Sequence, residues 1–224
     1  MASDYHISLD PEANILYQRC RDVDPALWAE LQAAPPAEIC RRTTARYQQG
    51  EYVLPFFQRR LLIRPEALDL QVMEQPAREA EFQLCLTALL FLLRVDVALL
   101  PSRQVSPKEY RGGVTFFQGP HALPTARLEE RFGSDRALFI EAGRSLGGQE
   151  LRQGDVGLTL TPFPHLTVEV ILWLRDEEFP PQVVFTLPAA LDRFWALDGI
   201  WALLNVVSRE LWRAGSRAAA SVRK

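Results

Sequence analysis

The sequence predicts an α+β fold, and three observations carry that prediction. Strand signals follow one another closely between about residues 156 and 187. Further short apolar runs separated by prolines lie between 51 and 74. Between these groups, the stretch from Pro76 to Val95 has a second half, LCLTALLFLLRV, that is apolar almost all round. The architecture expected is an antiparallel sheet, made of the 156–187 meander joined by the strands of 51–74. It packs on a buried central helix (about 76–95) and on C-terminal helices.

Each strand has its own reason. Val156, Leu158 and Leu160 alternate with Gly157, Thr159 and Thr161, as a half-buried strand requires. Pro162 and Pro164 then stop it, since neither has an N–H for a ladder. From Leu166 to Leu174 the run is apolar on both faces apart from Thr167 and Glu169, which suits a strand covered on both sides. Gln182 to Leu187 is the third strand. The links around Phe163 and from Arg175 to Pro181 are too short for a parallel crossover, so the meander is antiparallel. Tyr52–Leu54, Leu61–Ile63 and Leu68–Met73 are the earlier strands.

The helices follow from caps and stops. Asp10-Pro11 and Asp24-Pro25 each pair an N-cap with a proline at the first helical position, the second opening Ala26–Ala33. A third helix is expected from Ala37 to Gln48, with Gly50 as its stop. The central helix is too short in its apolar part to span a bilayer, which needs about 20 residues, so it reads as a core helix. Its charges, Glu79, Glu81 and Arg94, suit the helix dipole. Gly112-Gly113 reads as a turn entering a strand over Val114–Phe117. Helices are expected at Thr125–Phe132 and at Asp135–Leu146, the latter capped by Ser134 and stopped by Gly147-Gly148. After the meander come helices at Ala189–Leu197 and Gly199–Trp212, with Asp198 as cap between them. Phe194, Leu197, Trp201, Leu204 and Leu211 form one apolar stripe. In domain terms, residues 1–50 are a helical segment packed on a domain of 51–213, and 214–224 is a frayed basic tail.

Composition bounds the function. The 224 residues carry a formal net charge of −3, with 48% hydrophobic and 24% charged residues. A strongly basic nucleic-acid surface is therefore not expected. Nor is a membrane span or a secretory leader. Cys20, Cys40 and Cys85 are odd in number, widely spaced and free of any CxxC. They indicate neither a disulfide framework nor a metal motif, and a reduced cytoplasmic setting follows. The simplest reading of Cys40 and Cys85 is as small buried hydrophobes.

One acidic string stands out, Asp176-Glu177-Glu178 followed by Phe179-Pro180-Pro181. As a site it would bind a hard cation or supply a general acid and base. As a plain turn, its charges are solvated and discourage edge pairing. Adjacent side chains diverge on an extended segment, so at most two of the three acids converge on one ion. The prolines stiffen the loop, which suits a defined site. The other candidate region is the irregular segment Leu100–Leu123, since long irregular stretches often carry function. The ligand site expected lies between these two regions. It takes in Tyr110, Arg111, His121, Trp173, Arg175, Asp176, Glu177, Glu178 and Phe179. No metal set is assigned, because His6, His121 and His165 are scattered, and no cofactor is identified. The glycine pairs lack nucleotide-loop spacing, and Ser106 and Ser145 lack a nucleophile elbow.

Gly154-Asp155, Phe163-Pro164, Trp173, Asp176-Glu177-Glu178-Phe179-Pro180 and Phe185, in this order and spacing, resemble the signature of an uncharacterised family, "domain of unknown function 3786". The likeness extends back through Gly147-Gly148 and the Gly112-Gly113 region, covering most of residues 50–212. Thr186 stands where the family tends to have an acid, and His165 where it often has a base. The chain lacks the four-cysteine iron–sulfur segment found in some relatives. The resemblance implies a bacterial protein, chiefly of anaerobes, and assigns no activity. Two function classes remain. The favoured one is a non-catalytic small-ligand or partner-binding module accessory to anaerobic metabolism. The alternative is an enzyme using the Asp176-Glu177-Glu178 carboxylates, with or without a divalent metal. A homodimer through a strand edge or the C-terminal aromatic stripe is a third option.

Overall fold

The computed structural model describes Tyr17, residues 19–73 and residues 80–222. Their elements run in the order α1 (Pro25–Ala33), α2 (Pro36–Thr43), β1 (Arg46–Gln48), β2 (Glu51–Phe56), β3 (Arg59–Arg64), β4 (Asp69–Val72) and α3 (Phe82–Arg94). Then come β5 (Gln104–Val105), α4 (Gly113–Phe116), α5 (Ala126–Phe132), α6 (Arg136–Ser145), β6 (Gln149–Leu151), β7 (Val156–Phe163), β8 (Leu166–Trp173), β9 (Gln182–Pro188) and α7 (Leu197–Val222). The class is α+β with antiparallel pairing throughout, as the sequence predicts.

The early strands do not join the meander. They form their own sheet, β1-β2-β3-β4, while the second sheet runs β5-β9-β8-β7-β6. The two touch at one aromatic corner. Phe57 N–H donates to the Pro162 carbonyl at 3.1 Å. The Phe163 ring lies 5.7 Å from Phe56 of β2 and 4.9 Å from Phe91 of α3, centroid to centroid. This corner explains why Pro162 does not end its strand. β7 continues to Phe163, with a register shift between Leu160 and Phe163. A proline is tolerated where the ladder is already broken.

Helix α3 is the centre of the core, with Leu84, Cys85, Ala88, Leu89, Phe91, Leu92 and Leu93 all buried. It starts at Phe82, so the stretch 76–81 is not all helix. Ala80 belongs to no helix, and Glu81 is extended and pairs with Arg19; Pro76 and Glu79 lie outside the described residues. The cysteine expectation is overturned here. Cys20 and Cys85 form a disulfide with a Cα–Cα distance of 5.3 Å, leaving Cys40 as the free thiol. Sixty-five residues separate the pair in sequence, so no local spacing signal announces it.

Further expectations need correction. α2 ends at Thr43 instead of reaching Gln48. The Thr43 hydroxyl donates to the Ile39 carbonyl at 2.7 Å, Thr44 turns left-handed (φ 58°), and Arg46–Gln48 become a strand. Gly50 is then no helix stop. With Gln49 (φ 53°) and Gly50 (φ 85°) it makes a two-residue hairpin loop between Gln48 and Glu51. Val114–Phe117 do not form a strand. Gly112 turns left-handed (φ 80°) and starts a helical turn, and a Cβ on Gly113 would meet the Pro107 carbonyl at 2.3 Å. The cap of α6 is Asp135, whose Oδ1 accepts from Leu138 N–H at 2.9 Å; Ser134 does not take that role. At the end of the chain there is one long helix. Ala189–Leu197 holds only a short 3-10 turn at Leu191–Arg193. Asp198 lies inside the first turn of α7 rather than before it, and α7 passes Trp212 to reach Val222. The supposed frayed tail is therefore helical through Val222. Ala214 and Gly215 are buried, and the Gly215 carbonyl accepts from Arg131 Nη2 at 3.0 Å. A helix over Asp10-Pro11 concerns residues outside those described.

A partly buried charge network ties α7 to the first sheet and to the start of α3. Arg59 of β3 pairs with Glu210, which also takes Arg213 at 2.9 Å. Glu81 takes both Arg209 and Arg213 at 2.6 Å. Among the described residues no helix is long and apolar enough to cross a membrane.

Candidate functional site

The acidic loop, residues 174–181, joins β8 to β9 and is held at both ends by backbone. At its root, Gly154 is left-handed (φ 63°), and a Cβ there would lie 2.8 Å from Ile171 Cγ2 and 2.9 Å from the Leu172 carbonyl. That close approach lets Asp155 N–H donate to the Leu172 carbonyl at 3.1 Å, while Asp155 Oδ2 accepts from Leu174 N–H at 2.8 Å, and these two bonds form a clamp at the root of the loop. On the other side, Arg175 N–H donates to the Gly133 carbonyl at 2.7 Å, and Glu129 Oε1 accepts from Val183 N–H at 2.9 Å. Pro181 packs on Gly133, where a Cβ would come within 2.5 Å of its ring.

Within the loop, Asp176 is a turn residue. Its Oδ1 accepts from Glu178 N–H at 2.9 Å and from Phe179 N–H at 2.6 Å, and its own N–H donates to the Phe179 carbonyl at 3.2 Å. One of the three carboxylates is thus occupied in forming the turn. Arg175, Glu177 and Glu178 are exposed, as are Trp173 (41%) and Phe179 (65%). No cluster of three or more histidine, cysteine, aspartate or glutamate residues able to hold a metal is present among the described residues.

Tyr110, Arg111 and His121 sit elsewhere. β5 pairs with the end of β9, Gln104 opposite Pro188, whereas Trp173 is opposite Gln182 at its start. Six residues of extended chain separate these positions, about 20 Å. Tyr110 is buried and its hydroxyl donates to the Pro188 carbonyl at 2.7 Å. Burial, with Asp192 and Glu109 nearby, pushes its pKa well above the usual phenol value. Arg111 is exposed. The His121 ring stacks on Phe116 at 4.5 Å and meets Trp201 edge-on at 5.3 Å; Trp201 Nε1 donates to the Ala122 carbonyl at 3.0 Å. The nine predicted residues thus do not converge: Tyr110 lies by the end of β9 with Arg111 next to it in the chain, the acidic-loop residues lie by its start, and His121 packs with Phe116 and Trp201.

A cleft that the sequence does not announce lies between α6 and the edge strand β6. It has a volume of about 480 Å³ and is lined by Arg136, Ala137, Ile140, Glu141, Arg144 and Glu150. Spacings of three and four along α6 bring its five residues to one face. Ile140 is the buried, apolar member. Arg144 Nη2 pairs with Glu150 Oε1 at 2.6 Å across the cleft, from helix to strand. Arg136 and Glu141 have no ion-pair partner among the described residues. In the sequence this stripe is indistinguishable from any solvated helix face. Its concavity depends on β6, which Gly147-Gly148 turns back beside the helix: Gly147 is left-handed (φ 78°) and Gly148 N–H donates to the Gly143 carbonyl at 2.9 Å.

Fold and clamp together define an α+β protein whose Gly-Asp turn and acidic loop brace neighbouring strands. The family model described as "Domain of unknown function (DUF3786)" matches residues 35–210, and the chain belongs to that family. No curated protein and no solved structure matches it. The matched region contains the clamp, the acidic loop and the cleft; α1 and Cys20 precede it.

Proposed function

We propose that the chain is a non-catalytic binding module that takes a small ligand carrying both charges in the α6–β6 cleft. The observation that carries this reading is the unpaired charge of both signs, Arg136 and Glu141, beside a buried apolar side chain in one concavity. The Arg136 guanidinium suits a carboxylate, which it can hold in a forked, two-bond geometry. Glu141 suits an ammonium, and Ala137 and Ile140 suit a short aliphatic body. A cleft of this size falls within the range of small-molecule sites. A small zwitterion such as an amino acid or dipeptide is the class that fits. The same reading makes the module an accessory of anaerobic metabolism, an assignment that rests on the family resemblance. The backbone amides that Asp176 accepts support a turn, rather than chemistry, as the work of the acidic loop.

Thermal shift against a panel of amino acids, dipeptides, simple carboxylates and divalent cations tests the proposal. A ligand that binds only the folded state raises the melting temperature, by the equivalent of about 2.7 kcal/mol at a hundredfold excess over Kd. The expected result is a shift with a zwitterion that Arg136→Ala removes and that the pair Glu177→Gln and Glu178→Gln leaves intact. A shift given by divalent cations and lost in the acidic-loop variant would transfer the site to that loop and revive the enzyme reading.

A further inference from the structure

We infer that the Cys20–Cys85 bond is a redox latch, holding the Arg19–Val23 stretch on the start of α3 and releasing it to a dithiol reductant. The inference is independent of the cleft. Cys20 lies before the family-matched region and Cys85 inside it, so the bond ties a preceding segment to the family's core helix. Further attachments of the segment gather at the same spot. Arg19 bridges Glu81, the Tyr17 ring lies 5.2 Å from Phe82, and Val23 is buried. Glu81 is in turn the residue that takes Arg209 and Arg213 of α7. Lifting the segment therefore acts on the α3–α7 seam.

Both half-cystines are buried, Cys20 at 2% and Cys85 at 0% exposure, so a reductant reaches the bond when the segment opens locally. The exchange balances as a two-electron step. One thiolate of the dithiol attacks a sulfur of the bond, the Cys20–Cys85 bond breaks, and a mixed disulfide forms. The second thiol of the reductant closes on it. Cys20 and Cys85 end as protonated thiols and the reductant as a disulfide.

The test uses the full chain, with and without dithiothreitol. Native alkylation followed by mass spectrometry counts free thiols, while trypsin reports on the exposed Arg19 and Arg21, with Arg144 in α6 as internal reference. Without reductant, Cys40 alone is alkylated and cutting at Arg21 is slow. With dithiothreitol, all three cysteines react and cutting at Arg21 speeds up about tenfold, as when local opening replaces a covalent hold, while Arg144 is unaffected. The double variant Cys20→Ser, Cys85→Ser cuts fast with or without reductant. If that variant does not fold, the wild-type comparison still decides. Three reactive thiols in air-oxidised protein would overturn the latch. So would unchanged cutting at Arg21 after reduction, or an equal rise at Arg144, which would make the bond a staple of the whole fold.

Discussion

At the scale of single residues, Gly154 sits where a side chain has no room. Its positive φ acts together with the close approach of the Leu172 carbonyl, which would lie 2.9 Å from any Cβ placed there. Gly154→Ala is expected to lower stability by about 1–3 kcal/mol, since both the backbone strain and the clash with a strand are unavoidable. Urea denaturation checks this, with a lower midpoint at an unchanged slope; a midpoint equal to wild type would show that the clamp contributes nothing. Asp155 follows Gly154 at the entry to β7, and its bond to Leu174 N–H carries it across to the end of β8. The two readings of the acidic loop divide at the same scale. Three adjacent carboxylates look like a site because charge is visible in sequence, whereas the amides that occupy Asp176 become visible once the loop is closed.

At the scale of elements, α1 and α3 are tied by Glu30 and Arg94, with Glu30 Oε2 accepting from Arg94 Nη2 at 2.6 Å. Arg94 sits where a helix dipole favours a cation, and its partner comes from another helix. The hydrogen bond from Arg94 holds the Glu30 carboxyl below its ordinary value near 4.5. A lowered folded-state value stabilises above the unfolded value, and the contribution is lost as pH falls through the folded value. Both side chains are partly exposed, so the gain is at most about 1 kcal/mol. Glu30→Gln should therefore unfold at lower urea than wild type at pH 7, and the gap should close on acidification below the ordinary carboxyl range. A gap that persists unchanged into acid would show packing, not charge, at work. Element boundaries were legible where a glycine stop is local, as at the Gly147-Gly148 end of α6. They were not legible at α2, where the Thr43 hydroxyl and the Gln49-Gly50 hairpin compete with a helical pattern that continues in sequence.

At the scale of the whole molecule, Glu210 joins parts that are remote in the chain. It accepts from Arg59 of the first sheet and from Arg213, and its side chain is 7% exposed. Removing one member of a buried pair leaves its partners' charge uncompensated. Glu210→Ala is expected to cost about 3 kcal/mol, on the scale known for broken buried pairs, read as a drop in urea midpoint. A cost below that of an ordinary surface substitution, about 0.5 kcal/mol, would mean the network does not couple sheet and helix.

By itself the sequence determined the class, the three meander strands, the greasy helix α3 and the family, because each rests on periods and turns that a short window contains. The tertiary structure alone decided that the strands divide into two sheets, that Cys20 meets Cys85, that the last helix reaches Val222, and that Tyr110 and Trp173 lie at opposite ends of β9. Those outcomes depend on which edges and faces meet across long separations. A strand's alternation names its buried face and leaves its neighbour open, and a cysteine carries no mark of its partner.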